Sequence, residues 1–115
     1  MITKACNFEG RKELRHFEVS ESIGPFSSTS TQYRELESVD CLAVMEVSYS
    51  AEIGSGEMEK KNFYVLGENG YTRIYRNFKC SDQRDKVPVE EVRDEVVREY
   101  FLDVWENNRS TKGGM

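Results

Sequence analysis

Four side chains in this 115-residue sequence are of types that bind zinc through sulfur and imidazole: Cys6, His16, Cys41 and Cys80. Converging in space, they would make a Cys₃His tetrahedron. Structural zinc sites usually announce themselves by closely spaced ligand pairs, and no such pair occurs here. Three scattered thiols read more simply as buried cysteines of a reducing compartment, with no metal and no cofactor. His16 is the single histidine. No local motif sets a Ser or Cys nucleophile beside it. The glycine-containing stretch "GSGEMEKK" lacks the second glycine and the G-K-S/T end of a phosphate loop. The sequence therefore reads as non-catalytic, and a small enzyme whose site assembles only in three dimensions stands as the second alternative.

Binding chemistry is better represented. In "VEEVRDEVVREYFLDVWENN", Val89 to Asn108, Glu91, Glu95, Glu99 and Asp103 succeed one another at helical i, i+4 spacing, with Glu106 beside them. Like charges so spaced cost a few tenths of a kcal/mol per pair, so the row is not there for helix stability. Leu102 falls on the same outer side, an apolar anchor in an acidic ridge. Such a ridge suits a partner protein with a basic surface. The main alternative is Tyr64, Tyr71, Arg73 and Tyr75, which could form an aromatic platform with a cation set in it. Platforms of that kind stack nucleotides or single-stranded nucleic acid. Lys60, Lys61, Arg76, Lys79, Arg84 and Lys86 would hold phosphates nearby. Direct nucleic-acid binding is the less favoured of the two, because no RNA-binding motif accompanies the tyrosines. In "GPFSSTST", Phe26 is the one large apolar group and could insert into a partner.

These groups must be positioned by a small set of elements. Residues 2–8 and "LRHFEVS" alternate as the strands of a hairpin, with "EGRK" as its turn. Residues 20–32, "SESIGPFSSTSTQ", read as a mobile loop, and "YRELESV" as one short helical turn. "CLAVMEVSYS", Cys41 to Ser50, is apolar on one side throughout and on both sides at its start, as an interior strand should be. "AEIGSGEMEK" reads as a flexible connection.

"KNFYVLGENGYTRIYRNF" then carries Asn-Gly between two alternating runs, the preferred two-residue hairpin turn. That turn pairs Val65 with Ile74, Tyr64 with Tyr75 and Leu66 with Arg73. It makes Phe63, Val65, Ile74 and Phe78 the core side. Last comes an amphipathic helix with Val89, Val92, Val96, Val97, Tyr100, Phe101, Val104 and Trp105 on its buried stripe and Pro88 at its start. Arg93 points into that stripe.

The expected fold is α+β: an antiparallel sheet of about five strands, two hairpins plus a central strand, packed against one C-terminal amphipathic helix. Residues 1–108 form a single domain and residues 109–115 a flexible tail. A small barrel plugged by the helix, loosely similar to pleckstrin-homology-like barrels, is the runner-up. The strands found fall short of what that fold needs.

Composition narrows the function. Net charge is −5, distributed as −5 over residues 1–57, +3 over 58–87 and −3 over 88–115. Mimics of nucleic acid are more acidic than this. No apolar run is long enough for a membrane span or a secretory signal, so a cytoplasmic location is expected. The reading reached is a small acidic inhibitor that occupies a basic, nucleic-acid-handling surface of another protein. By class it would be a phage or mobile-element antagonist of host defence, or an antitoxin or immunity protein. An exposed apolar sheet face would add a homodimer.

Overall fold

The computed structural model describes residues 11–25, 27–39, 41–54, 56–76 and 85–113. Six strands form one antiparallel sheet whose spatial order is their chain order. They are β1 (Glu13–Gly24), β2 (Ser27–Leu36), β3 (Ala43–Ile53), β4 (Gly56–Leu66), β5 (Tyr71–Arg76) and β6 (Asp85–Pro88). A 3-10 turn, Val89–Glu91, leads into helix α1 (Glu95–Gly113). The class is the α+β arrangement expected, with one strand more. Among the described residues the order runs from edge to edge without closing on itself, as an open sheet and not a barrel.

Two segments expected to be irregular are strands. β1 and β2 run through the serine- and threonine-rich stretch, and Gly24 pairs with Ser27 to close the turn. Pro25 occupies the first corner, where its fixed φ suits a β-turn. "YRELESV" is not helical: Tyr33 to Leu36 finish β2. The flexible connection is likewise the β3–β4 hairpin, closed by Ile53 and Gly56. Gly54 has φ +62°, the left-handed geometry that two-residue hairpin turns require. Small hydroxyl residues break helices, but threonine in particular is at home on a pleated sheet. The hairpin read through residues 2–8, together with Phe26 and Phe78, lies outside the described residues.

The β4–β5 register differs from expectation by one residue. Leu66 pairs with Thr72, Val65 with Arg73, Tyr64 with Ile74 and Phe63 with Tyr75. Asn69-Gly70 does not sit at the centre of a two-residue turn. The Gly70 amide donates to the Gly67 carbonyl (3.2 Å), and Gly70 adopts φ +86°. The Asn69 side chain accepts the Tyr71 amide two residues on (3.1 Å). A β-turn followed by a left-handed glycine adds one residue to the loop. Because side chains alternate, that slip changes which of them share a face.

The helix covers the face bearing Tyr33, Ala43, Met45, Val47 and Leu66. Val89, Val92, Val97 and Phe101 complete that core, and Tyr64 packs at its margin. The opposite face carries a second buried cluster of Leu36, Val44, Phe63 and Tyr75. The helix-side core is therefore the Leu66 side of the hairpin, not the Phe63 side. β3 is buried on both faces, as its sequence implies.

α1 begins later than its periodicity suggests. Val92 is extended, and Asp94 caps the helix by accepting the Val97 amide at 3.0 Å. Arg93 is exposed and precedes the helix, so it does not enter the apolar stripe. The helix continues past Asn108 to Gly113, through much of the expected tail. Two contacts fix its position. The Tyr33 hydroxyl donates to Asp94 at 3.1 Å, and the Trp105 ring packs on Gly70 so closely that a Cβ there would lie 2.8 Å from it.

Candidate functional site

The outer face of α1 follows from its anchoring. Val97 and Phe101, four residues apart, face the sheet and are completely buried. The positions turned away are Glu95, Glu99, Asp103 and Glu106, all exposed. At about 1.5 Å per residue, their four charges span roughly 17 Å. Arg98, on the same helix, donates to the Val92 carbonyl at 2.9 Å. Two residues of the expected ridge do not belong to it. Glu91 lies in the 3-10 turn, separated from the helix by the extended Val92. Leu102 is partly buried against the helix-side core and is not an exposed anchor.

The tyrosine platform is divided by the hairpin register. Tyr64 faces the helix-side core. Tyr75 is on the opposite face, 5% exposed, within the second cluster. Only Tyr71 of the three is open to solvent, at 41%. Tyr71, Arg73 and Tyr75 nevertheless stay together, because they alternate along one face of β5. They line a recess of about 230 Å³ beside the β4–β5 turn, joined by Arg11, Val39 and Cys41. Arg11 and Cys41 are far from β5 in sequence, and no local pattern connects them. Lys86 stands opposite Arg73 in the ladder. Its Nζ lies 5.3 Å from the centre of the Tyr71 ring, a cation–π distance.

A larger and more open hollow, about 450 Å³, is lined by polar groups including Gln32, Ser48, Ser50, Glu59 and Lys61. On strands β1 and β2 beside it, Ser30 donates to Glu18, and His16 Nε2 meets Gln32 Oε1 at 3.1 Å. His16 thus sits in a surface hydrogen-bond network. Cys6 and Cys80 of the possible zinc set, with Lys79 and Arg84 of the basic band, lie outside the described residues. Among the described residues, no group of three or more histidine, cysteine or acidic side chains is placed to hold a metal.

The strongest electrostatic perturbations are structural. Burial above all, then the charge of Asp94 and a hydrogen bond to it, holds the Tyr33 phenol well above its ordinary range. Burial, then a hydrogen bond to Glu35, does the same to Tyr100. Arg34 is raised by its hydrogen bonds to Glu13 first and Glu46 second. It bridges the two carboxylates at 2.6 and 2.7 Å. These groups tie strands and helix together.

Among the described residues, no helix is long and apolar enough to cross a membrane. In comparison with known proteins, no family model, no curated protein and no solved structure matches the chain significantly.

Proposed function

We propose that the protein is a small non-catalytic binding protein that works by occupancy. The outer face of α1 docks on a basic, nucleic-acid-handling surface of a partner protein and competes with that surface's substrate. The observation that carries this reading is the unbroken exposed row Glu95, Glu99, Asp103 and Glu106 on a helix whose other side is locked into the core. A ridge held by a rigid element presents its charges without an ordering cost at the moment of binding.

The charge density sets the mechanism. Four carboxylates over roughly 17 Å is about one charge per 4 Å, against one per about 1.7 Å along duplex DNA. The ridge therefore acts through local complementarity and steering, not as an imitation of a nucleic-acid backbone. Blocking agents of host defence systems, antitoxins and immunity proteins are the functional classes that work this way, and we place the protein among them.

The test uses the partner recovered with the protein in its native complex. Glu95→Lys/Glu99→Lys should weaken association at least about tenfold at low salt and flatten its salt dependence, because exposed charges within a Debye length of about 10 Å are being reversed. Affinity and salt slope matching the unaltered protein would dismiss the ridge.

A further inference from the structure

We propose that the recess beside the β4–β5 turn is a binding site for a free mononucleotide, with Arg73 and Lys86 holding its phosphate and Tyr71 and Val39 flanking its base. The site is independent of the acidic helix ridge, since Arg73 and Tyr75 are on the sheet face turned away from α1.

Strands β5 and β6 carry an arrangement the fold does not need. Arg73 and Lys86 are directly opposite each other on neighbouring antiparallel strands. Like charges in that relation destabilise a sheet. Neither has a carboxylate within ion-pair distance among the described residues. Among the described residues of the lining, Arg11 adds a cation from the segment before β1 and Glu68 a carboxylate. The whole chain carries −5, and the juxtaposed Arg73 and Lys86 run against that trend. A dianionic phosphate between Arg73 and Lys86 would turn their repulsion into two charge-assisted contacts.

Apolar groups argue for a ring attached to that phosphate. Tyr71 is 41% and Val39 54% exposed, both within the recess wall. Val65 and the mostly buried Tyr75 continue the wall inward. Exposed apolar side chains are ordinary singly, but here two share one concavity with Arg73. A planar base lying between them would be covered on both faces, and Lys86 against the Tyr71 ring would link base and phosphate subsites. Size limits the ligand. At about 230 Å³ the recess is below the roughly 300–1,000 Å³ of sites for drug-sized molecules. One nucleotide fills it, and a nucleic-acid strand would have to leave most of its length outside.

The test is titration calorimetry of the full chain with adenosine and uridine monophosphates, inorganic phosphate, adenosine and a short oligothymidylate. The proposal expects saturable one-to-one binding of at least one mononucleotide, tighter than about 1 mM. Inorganic phosphate and adenosine should each bind at least about tenfold more weakly than that mononucleotide. Arg73→Gln/Lys86→Gln changes two exposed side chains, so far-ultraviolet circular dichroism should show an unchanged fold while nucleotide affinity falls at least about tenfold. Alkylation of Cys41, followed by peptide mass mapping, should slow when the nucleotide is bound. Absence of saturable binding by either mononucleotide overturns the site. So does binding that survives the double substitution, or phosphate binding as tight as nucleotide binding. Much tighter binding of the oligothymidylate would replace the proposal with a strand-binding surface.

Discussion

Replacing Gly70 by alanine probes the joint on which helix and sheet depend. Two effects add at this position. The backbone adopts φ +86°, and a non-glycine residue in left-handed geometry costs about 1–2 kcal/mol. The new Cβ would also stand 2.8, 3.1 and 3.2 Å from three carbons of the Trp105 ring. Trp105 must then move, and overpacking of this kind costs about 1–3 kcal/mol. Together they predict about 2–5 kcal/mol, a large part of the stability of a domain this size. Urea unfolding followed by far-ultraviolet circular dichroism measures the loss. The chain's single tryptophan reports separately whether the ring has shifted. The decisive comparison repeats Gly70→Ala in a Trp105→Ala background, where only the backbone cost of about 1–2 kcal/mol should remain. The coupling between the sites should then be about 1–3 kcal/mol. An equal cost in both backgrounds would refute the close approach of Trp105 to the turn.

Alkaline stability should be limited by Tyr33 and Tyr100, whose folded-state pKa values are raised. Their contribution is complete below the unfolded value near 10 and is lost as pH climbs toward the folded values. Tyr33→Phe/Tyr100→Phe should therefore lose less melting temperature than the unaltered protein between about pH 9 and about pH 11. Arg34→Met strands Glu46, which is 5% exposed, and should cost about 1–3 kcal/mol in chemical unfolding. That is less than for a fully buried pair, because the Arg34 side chain is 35% exposed. Adding Glu46→Leu should recover most of that loss, and no recovery would refute the ion-pair account. Leu102→Ala should lower stability by about 1–2 kcal/mol because it removes contact with the core; an unchanged unfolding midpoint would restore Leu102 to the surface.

The parts of the fold that could be read in advance are those where apolar residues keep a strict period. Ala43, Met45 and Val47 alternate with Val44, and the result is a strand buried on both faces. Val97, Phe101, Val104 and Trp105 recur at helical spacing, and they pack against the sheet. β2 was illegible for the opposite reason. Its Ser27–Gln32 half has hydroxyl or amide groups on both faces, so no alternation marks it as a strand. Helix onset was misplaced because Val89 and Val92 are buried for their own reasons and happen to extend the helical period. The competing signal was Asp94, a capping residue three positions before Val97. One extra residue in a turn was enough to divide the tyrosines, since the tyrosine platform required Tyr64 and Tyr75 to be paired. The acidic row was legible apart from its two ends of contact: Glu91 fell before the cap and Leu102 turned inward. The recess was legible in part: Tyr71, Arg73 and Tyr75 alternate along one short run of sequence, whereas Arg11, Val39 and Cys41 reach it only through the fold.

The sequential strand order has a consequence for how the molecule forms. Among the described residues every strand pairs with the one made just before it, and the β1–β2, β3–β4 and β4–β5 ladders can zip from tight turns without a long loop to close. Such near-neighbour topologies fold quickly for a β-rich protein. The helix is different. It follows all six strands, and its bond from Tyr33 to Asp94 reaches across 61 positions. During synthesis the sheet can assemble while Met45 and Leu66 still face water, and it is sealed only when α1 arrives. Refolding should accordingly proceed in two stages, with hairpin formation ahead of Trp105 docking. The interval between them is when the chain is most exposed to association with its own copies.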